Sequence, residues 1–66
     1  MIIYKDILQK LKDAGYNTNT IRKEKILSEG PLQRLREGKP ITTETIDIIC
    51  NITGCKVDDI IEHRRE

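Results

Sequence analysis

The chain has 66 residues, of which 36% are apolar and 35% charged, with a formal net charge of +1 and neither Trp nor Phe. That length holds one domain, which buries only about 60% of the surface its unfolded form exposes. No apolar run approaches the ~20 residues a bilayer span requires, and the start MIIYKDILQK does not show a signal-peptide pattern, because Lys5 already interrupts it. A cytoplasmic protein is expected.

Met1, Ile2 and Ile3 make a short apolar arm. The spacing of Ile7, Leu8 and Leu11 predicts a first amphipathic helix over residues 4 to 14, ended by Gly15 with Lys10 and Lys12 near its negative end. Tyr16 is placed to staple the start of the second helix, for which Asn17 is the N-cap and Ile21 the large apolar anchor. Ser28 is the expected N-cap of the third helix. Pro31 is tolerated in its first turn, Leu32 and Leu35 give it an apolar side, and Gly38 stops it.

The loop Lys39-Pro40-Ile41 follows, with Ile41 plugging into the core. Thr42 or Thr43 caps a fourth helix over residues 43 to 53, buried through Ile46, Ile49, Cys50 and Ile52 and ended by Gly54. Its β-branched content makes a strand the competing reading; the i, i+3, i+4 spacing and the threonine start favour helix. Val57, Ile60 and Ile61 define a last helix of about two turns, with Asp58 and Asp59 near its positive start. His63-Arg64-Arg65-Glu66 reads as a polar, frayed tail. The expected architecture is all-α, five short helices in one domain.

Residues 17 to 38 organise the rest. Ile21, Leu27, Leu32 and Leu35 can face one core while Glu29, Gly30, Gln33 and Arg34 point outward, which is the layout of a helix-turn-helix. The plainer alternative is two amphipathic helices meeting in a small bundle. Charge distribution supports the first, although a charge run is most often only a solvated face. Residues 20 to 39 hold six cations against three carboxylates, and residues 40 to 66 hold three against six. A polyanion would meet the first region and be repelled by the second.

The order of these helices, and above all LREGKPITTETIDIICNITGCKVDDII from Leu35 to Ile61, resembles the Cro- and lambda-repressor-like DNA-binding domains, in their short single-domain branch from bacteria and mobile elements. The resemblance covers residues 3 to 62 and implies a compact fold with the helix-turn-helix in helices 2 and 3. Two departures stand out. Arg22 follows Ile21 where the family usually has a small residue, and Ile26 occupies the turn where it often has Gly. A turn that is wider, or differently placed, is therefore expected across residues 24 to 30, and Gly30 and Pro31 stand where polar residues often begin base reading.

On this reading Arg34 is the first candidate for base contact, since a guanidinium bonds guanine O6 and N7 together. Gln33 can bond adenine N6 and N7, Glu29 can accept from cytosine N4, and Gly30 allows close backbone approach. Thr18 and Asn19 at the start of the second helix, with Lys23, Ser28, Arg36 and Lys39, are the phosphate candidates. Glu37 beside Arg36 is expected to neutralise it. A domain this small reads few base pairs, so a homodimer on two half-sites about 34 Å apart is expected, touching through Val57, Ile60 or Ile61 and the N-terminal arm. The function implied is a sequence-specific transcriptional regulator of double-stranded DNA, a repressor.

Two rivals belong to other classes. One is a protein-interaction module, an antirepressor or antitoxin, suggested by Glu29, Gly30 and Pro31; its binding would ignore salt, whereas DNA binding through phosphates would not. The other is a redox sensor using Cys50 and Cys55, which alkylation of the folded protein would reveal. The C-x4-C spacing with His63 far off in the tail does not suit zinc. An enzyme is not expected, as Ser28 is explained by capping, Asp58 and Asp59 by a helix start, and no phosphate-cradling glycine loop is present. No cofactor is implied.

Overall fold

The computed structural model describes residues 1–65. Its elements run β1 (Ile2–Tyr4), α1 (Ile7–Asp13), α2 (Thr18–Lys23), α3 (Glu29–Glu37), α4 (Thr43–Thr53), α5 (Val57–Ile60) and β2 (Ile61–His63). The five expected helices are present, with one addition. β1 and β2 pair antiparallel, Ile2 opposite His63, Ile3 opposite Glu62 and Tyr4 opposite Ile61.

That sheet corrects three expectations at the chain ends. The first helix begins at Ile7 rather than residue 4, because Asp6 is left-handed at φ 50° and parts the strand from the helix. The last helix has one turn, not two, because Ile61 turns to an extended backbone and enters β2. The tail is not frayed through Arg64, whose N–H donates to the Met1 carbonyl at 2.9 Å. Glu66 lies outside the described residues. β-branched Ile2, Ile3 and Ile61 suit a pleated surface better than a helix end, and the ladder gives their backbone groups partners.

The turn between α2 and α3 shows how the chain substitutes for glycine. After α1, Gly15 at φ 93° lets its own N–H reach the Lys12 carbonyl at 3.0 Å and the Tyr16 N–H reach that of Leu11 at 2.8 Å. This is a Schellman stop, and it places Tyr16 against the core. The same pair of bonds ends α2, from Lys25 to Arg22 at 3.2 Å and from Ile26 to Ile21 at 3.0 Å. Here the left-handed residue is Lys25, at φ 55°. The strained position is therefore Lys25 and not Ile26, which packs half-buried on the core. Nor is the turn wide, since only residues 25 to 27 separate the caps Glu24 and Ser28.

A side chain in this conformation costs about 1–2 kcal/mol, against about 0.5–1 kcal/mol of extra chain entropy lost by a glycine. Lys25→Gly is accordingly expected to stabilise the domain by about 0.5–1 kcal/mol, read as a higher midpoint in a urea melt. A lower midpoint would mean that the lysine side chain contributes more than its backbone costs.

The core is built from Ile7 and Leu11 of α1, Ile21 of α2, Leu27 of the turn, Leu35 of α3, Ile49 of α4 and Ile60 of α5. Leu32 is also fully buried, and α1 packs against both α3 and α4. Ile41 packs half-buried on this cluster, as do Ile46, Cys50 and Ile52. Thr42 caps α4, its hydroxyl accepting from the Thr45 N–H at 3.2 Å. The buried Thr45 hydroxyl is satisfied by Thr42 at 3.1 Å. Gly54 ends α4 at φ 74°. In α5, Asp59 accepts from the Lys56 N–H at 2.9 Å, so its carboxylate caps the first turn.

Candidate nucleic-acid interface

Leu32 and Leu35 anchor α3 from beneath, and this decides what its other side presents. Glu29, Gly30, Gln33 and Arg34 are all exposed, with Glu37 one turn beyond Gln33. The space beside Gly30 is open apart from the Arg34 side chain. A Cβ added there would lie 3.9 Å from the Arg34 Nη1, so the guanidinium folds back along the helix over the space the glycine leaves open. Arg34 is thus a cation on an outward surface, one turn from a residue with no side chain.

Glu29, Gln33 and Lys39 already have partners. Glu29 pairs with Arg22 at 2.6 Å and ties the start of α3 to the end of α2. Both groups are substantially exposed, so the pair adds at most about 1 kcal/mol. It does reduce the carboxylate's opposition to an approaching polyanion. Gln33 donates through Nε2 to Glu37 Oε1 at 2.8 Å, and Lys39 Nζ lies 3.0 Å from Glu37 Oε2. Glu37 therefore does not neutralise Arg36, as the sequence suggested. Its partners are Gln33 and Lys39, because the i, i+4 spacing brings Gln33 alongside it. Those two hydrogen bonds, Gln33 first, hold the Glu37 carboxyl below its ordinary range, so it stays ionised at neutral pH.

Asn17 caps α2 through its side-chain oxygen, which accepts from the Thr20 N–H at 2.8 Å and from the Thr20 hydroxyl at 3.0 Å. Thr18 and Asn19 lie at the open start of that helix and border a recess that Lys12 and Gln9 of α1 also line. In the sequence Lys12 reads only as a helix-end cation, and only tertiary packing brings it beside α2. Ser28 occupies the N-cap position of α3, but its hydroxyl makes no capping bond. With Arg22, Lys25 and Glu29 it lines a second recess at the turn. Lys25, also absent from the sequence candidates, thus joins the cationic margin, and Lys23 is exposed at the end of α2.

Arg36 departs from the group. It borders a groove lined by Ile2, Tyr4, Asp6, Gln9 and neighbours on the β1 and α1 side of α3. Lys39 sits at the other end of the surface. The Tyr4 hydroxyl donates to its carbonyl at 2.5 Å, which ties the loop after α3 to the sheet.

Cys50 and Cys55 are free and half-buried. Burial first, then the neighbouring Cys55 and the charges of Asp47 and Asp59, push the Cys50 thiol up, away from the thiolate a redox sensor needs. Among the described residues no cluster of three His, Cys, Asp or Glu side chains could hold a metal, and no helix is long and apolar enough to cross a membrane.

Residues 6–66 match the family model of the Cro/C1-type HTH DNA-binding domain. Neither a curated protein nor a solved structure matches the chain.

Proposed function

The chain belongs to the Cro/C1-type HTH DNA-binding domain family, and on that premise we propose that this DNA-binding transcription regulator is a sequence-specific repressor acting as a homodimer. One observation carries the reading. The outward side of α3 offers Gly30, Gln33 and Arg34 above a seat of buried leucines, so a rigid helix can carry these groups into a major groove. Arg34 supplies the guanine contact and Gln33 the adenine contact. Thr18, Asn19, Lys23 and Lys39 engage phosphates on either side, with Lys12 and Lys25 added by the fold. Arg36, set toward the α1 groove, contributes charge at the margin. Repression requires only occupancy, since a bound dimer excludes other proteins from the same DNA.

Selection from a randomised duplex pool at two salt concentrations tests this. A palindromic motif should be enriched, and affinity should fall with log–log slope about −0.9 per phosphate contact. Weak binding that ignores salt, with no motif, would sink the proposal. It would favour a protein partner met by the same surface, a reading supported by the carboxylates of Glu29 and Glu37 at its edge.

Two exposed apolar residues support the homodimer. Ile2 is 54% and Val57 47% exposed, whereas Ile60 is fully buried and drops out of the contact the sequence suggested. Ile2→Asp or Val57→Asp, made separately, is expected to shift sedimentation from dimer toward monomer in one case. The same variant should weaken palindrome binding by tenfold or more, equivalent to about 1.4 kcal/mol. A wild type that remains monomeric at high concentration and on DNA would remove the homodimer.

A further inference from the structure

The outward side of α3 carries a carboxylate that DNA binding does not explain and that helix stability explains only through a weak i, i+4 contact with Gln33. Glu37 is the last residue of the helix, where a negative charge opposes the helix dipole, and it borders a surface meant for phosphates. What it does make are two contacts in sequence, Gln33 Nε2 to Oε1 at 2.8 Å and Lys39 Nζ to Oε2 at 3.0 Å. We propose that Glu37 is a positioning residue for base recognition, holding the Gln33 amide in the one orientation that presents its oxygen and second N–H to an adenine edge.

The argument is one of donors and acceptors. An unheld glutamine on a helix surface rotates and flips, and offers a base either the oxygen or the nitrogen. An ionised carboxylate can only accept, so the side of Gln33 turned toward Glu37 must be the NH2. One of the two N–H donors is spent on Glu37. The remaining N–H and Oε1 are the pair that adenine N7 and N6 require. Lys39 completes the device by balancing the charge, so the carboxylate is tolerated beside the phosphates. The Lys39 backbone is held by Tyr4, which keeps that end of the chain of contacts in place. Ordering Gln33 before binding removes part of the side-chain entropy that base contact would otherwise cost.

This inference rests on the reading of α3 as the recognition helix, and its test is arranged so that the two can fail separately. Wild type, Gln33→Ala, Glu37→Ala and Glu37→Gln, each checked for unchanged helical circular dichroism, are compared on the randomised pool. They are then measured on duplexes varied one base at a time. Gln33→Ala should lose a preference for adenine at one position of each half-site, and Glu37→Ala should lose about tenfold of the same preference at the same position. Glu37→Ala should at the same time bind unrelated DNA more tightly, because a negative charge has gone. Glu37→Gln, which can still accept from Gln33, should keep part of the preference.

A Glu37→Ala profile with every base preference intact and only a uniform gain in affinity would overturn the proposal and leave the carboxylate a purely electrostatic element. A motif in which Gln33→Ala changes nothing would overturn it too, while sparing the recognition helix. No motif for the wild type would overturn both.

Discussion

Replacing Arg34 with Ala is expected to weaken binding to the selected DNA by about 1–3 kcal/mol, the worth of one bidentate guanine contact, or roughly 5- to 150-fold. The loss should be confined to sequences carrying guanine at one position per half-site, so the motif relaxes there and nowhere else. Arg34 has no ion-pair partner among the described residues and stands over Gly30, so its removal leaves no buried charge and no cavity. Circular dichroism should accordingly be unchanged. Anisotropy titrations against duplexes varied at single positions, at two salt concentrations, make the measurement. A salt slope shallower by about 0.9 with every base preference intact would make Arg34 a phosphate contact. An unchanged affinity would remove it from the interface.

Ile49→Ala is the counterpart for the fold. Ile49 is wholly buried in the core shared by α1, α2, α3 and α5, and cutting it to Ala should cost about 2–5 kcal/mol in transfer and cavity terms. A core in a chain this short rarely supplies more than about 3–5 kcal/mol in total. The variant is therefore expected to be largely unfolded at room temperature and to bind no DNA, whereas Ile49→Val, at about 0.5–1.5 kcal/mol, should remain folded with a lower urea midpoint. If the alanine variant melted with the wild type, Ile49 would not be where the core places it.

The two variants mark what the residues alone disclose. Caps and stops are local, so Asn17, Gly38 and Gly54 are assignable to helix ends from neighbours three or four residues away, while the cap of α4 stays open between Thr42 and Thr43 until the structure shows Thr42. The outward position of Glu29, Gly30, Gln33 and Arg34 followed from Leu32 and Leu35 in the same way. The sheet could not be foreseen, because each strand is three residues long and its partner stands at the other end of the chain. Lys25 is not legible as a stop because a lysine is a poor occupant of a left-handed position, and only the two bonds around it reveal the Schellman stop. Side-chain pairings were harder still. Arg22 with Glu29, and Gln33 with Glu37 and Lys39, depend on rotamer choice among several acceptable neighbours, which spacing does not settle.

The pairing of Ile2–Tyr4 with Ile61–His63 also sets an order of events at the ribosome. Synthesis delivers β1 first, together with the helix-turn-helix, but β1 finds its hydrogen-bonding partner only after β2 has emerged. Long-range closure of this kind is slow compared with helix formation, because the loop must be closed before the contact repays it. The nine-residue recognition helix is too short to persist alone, so it settles only when Ile49 and Ile60 have joined the core. DNA binding and stable helix content should then appear together, once the last strand has emerged and the core has closed.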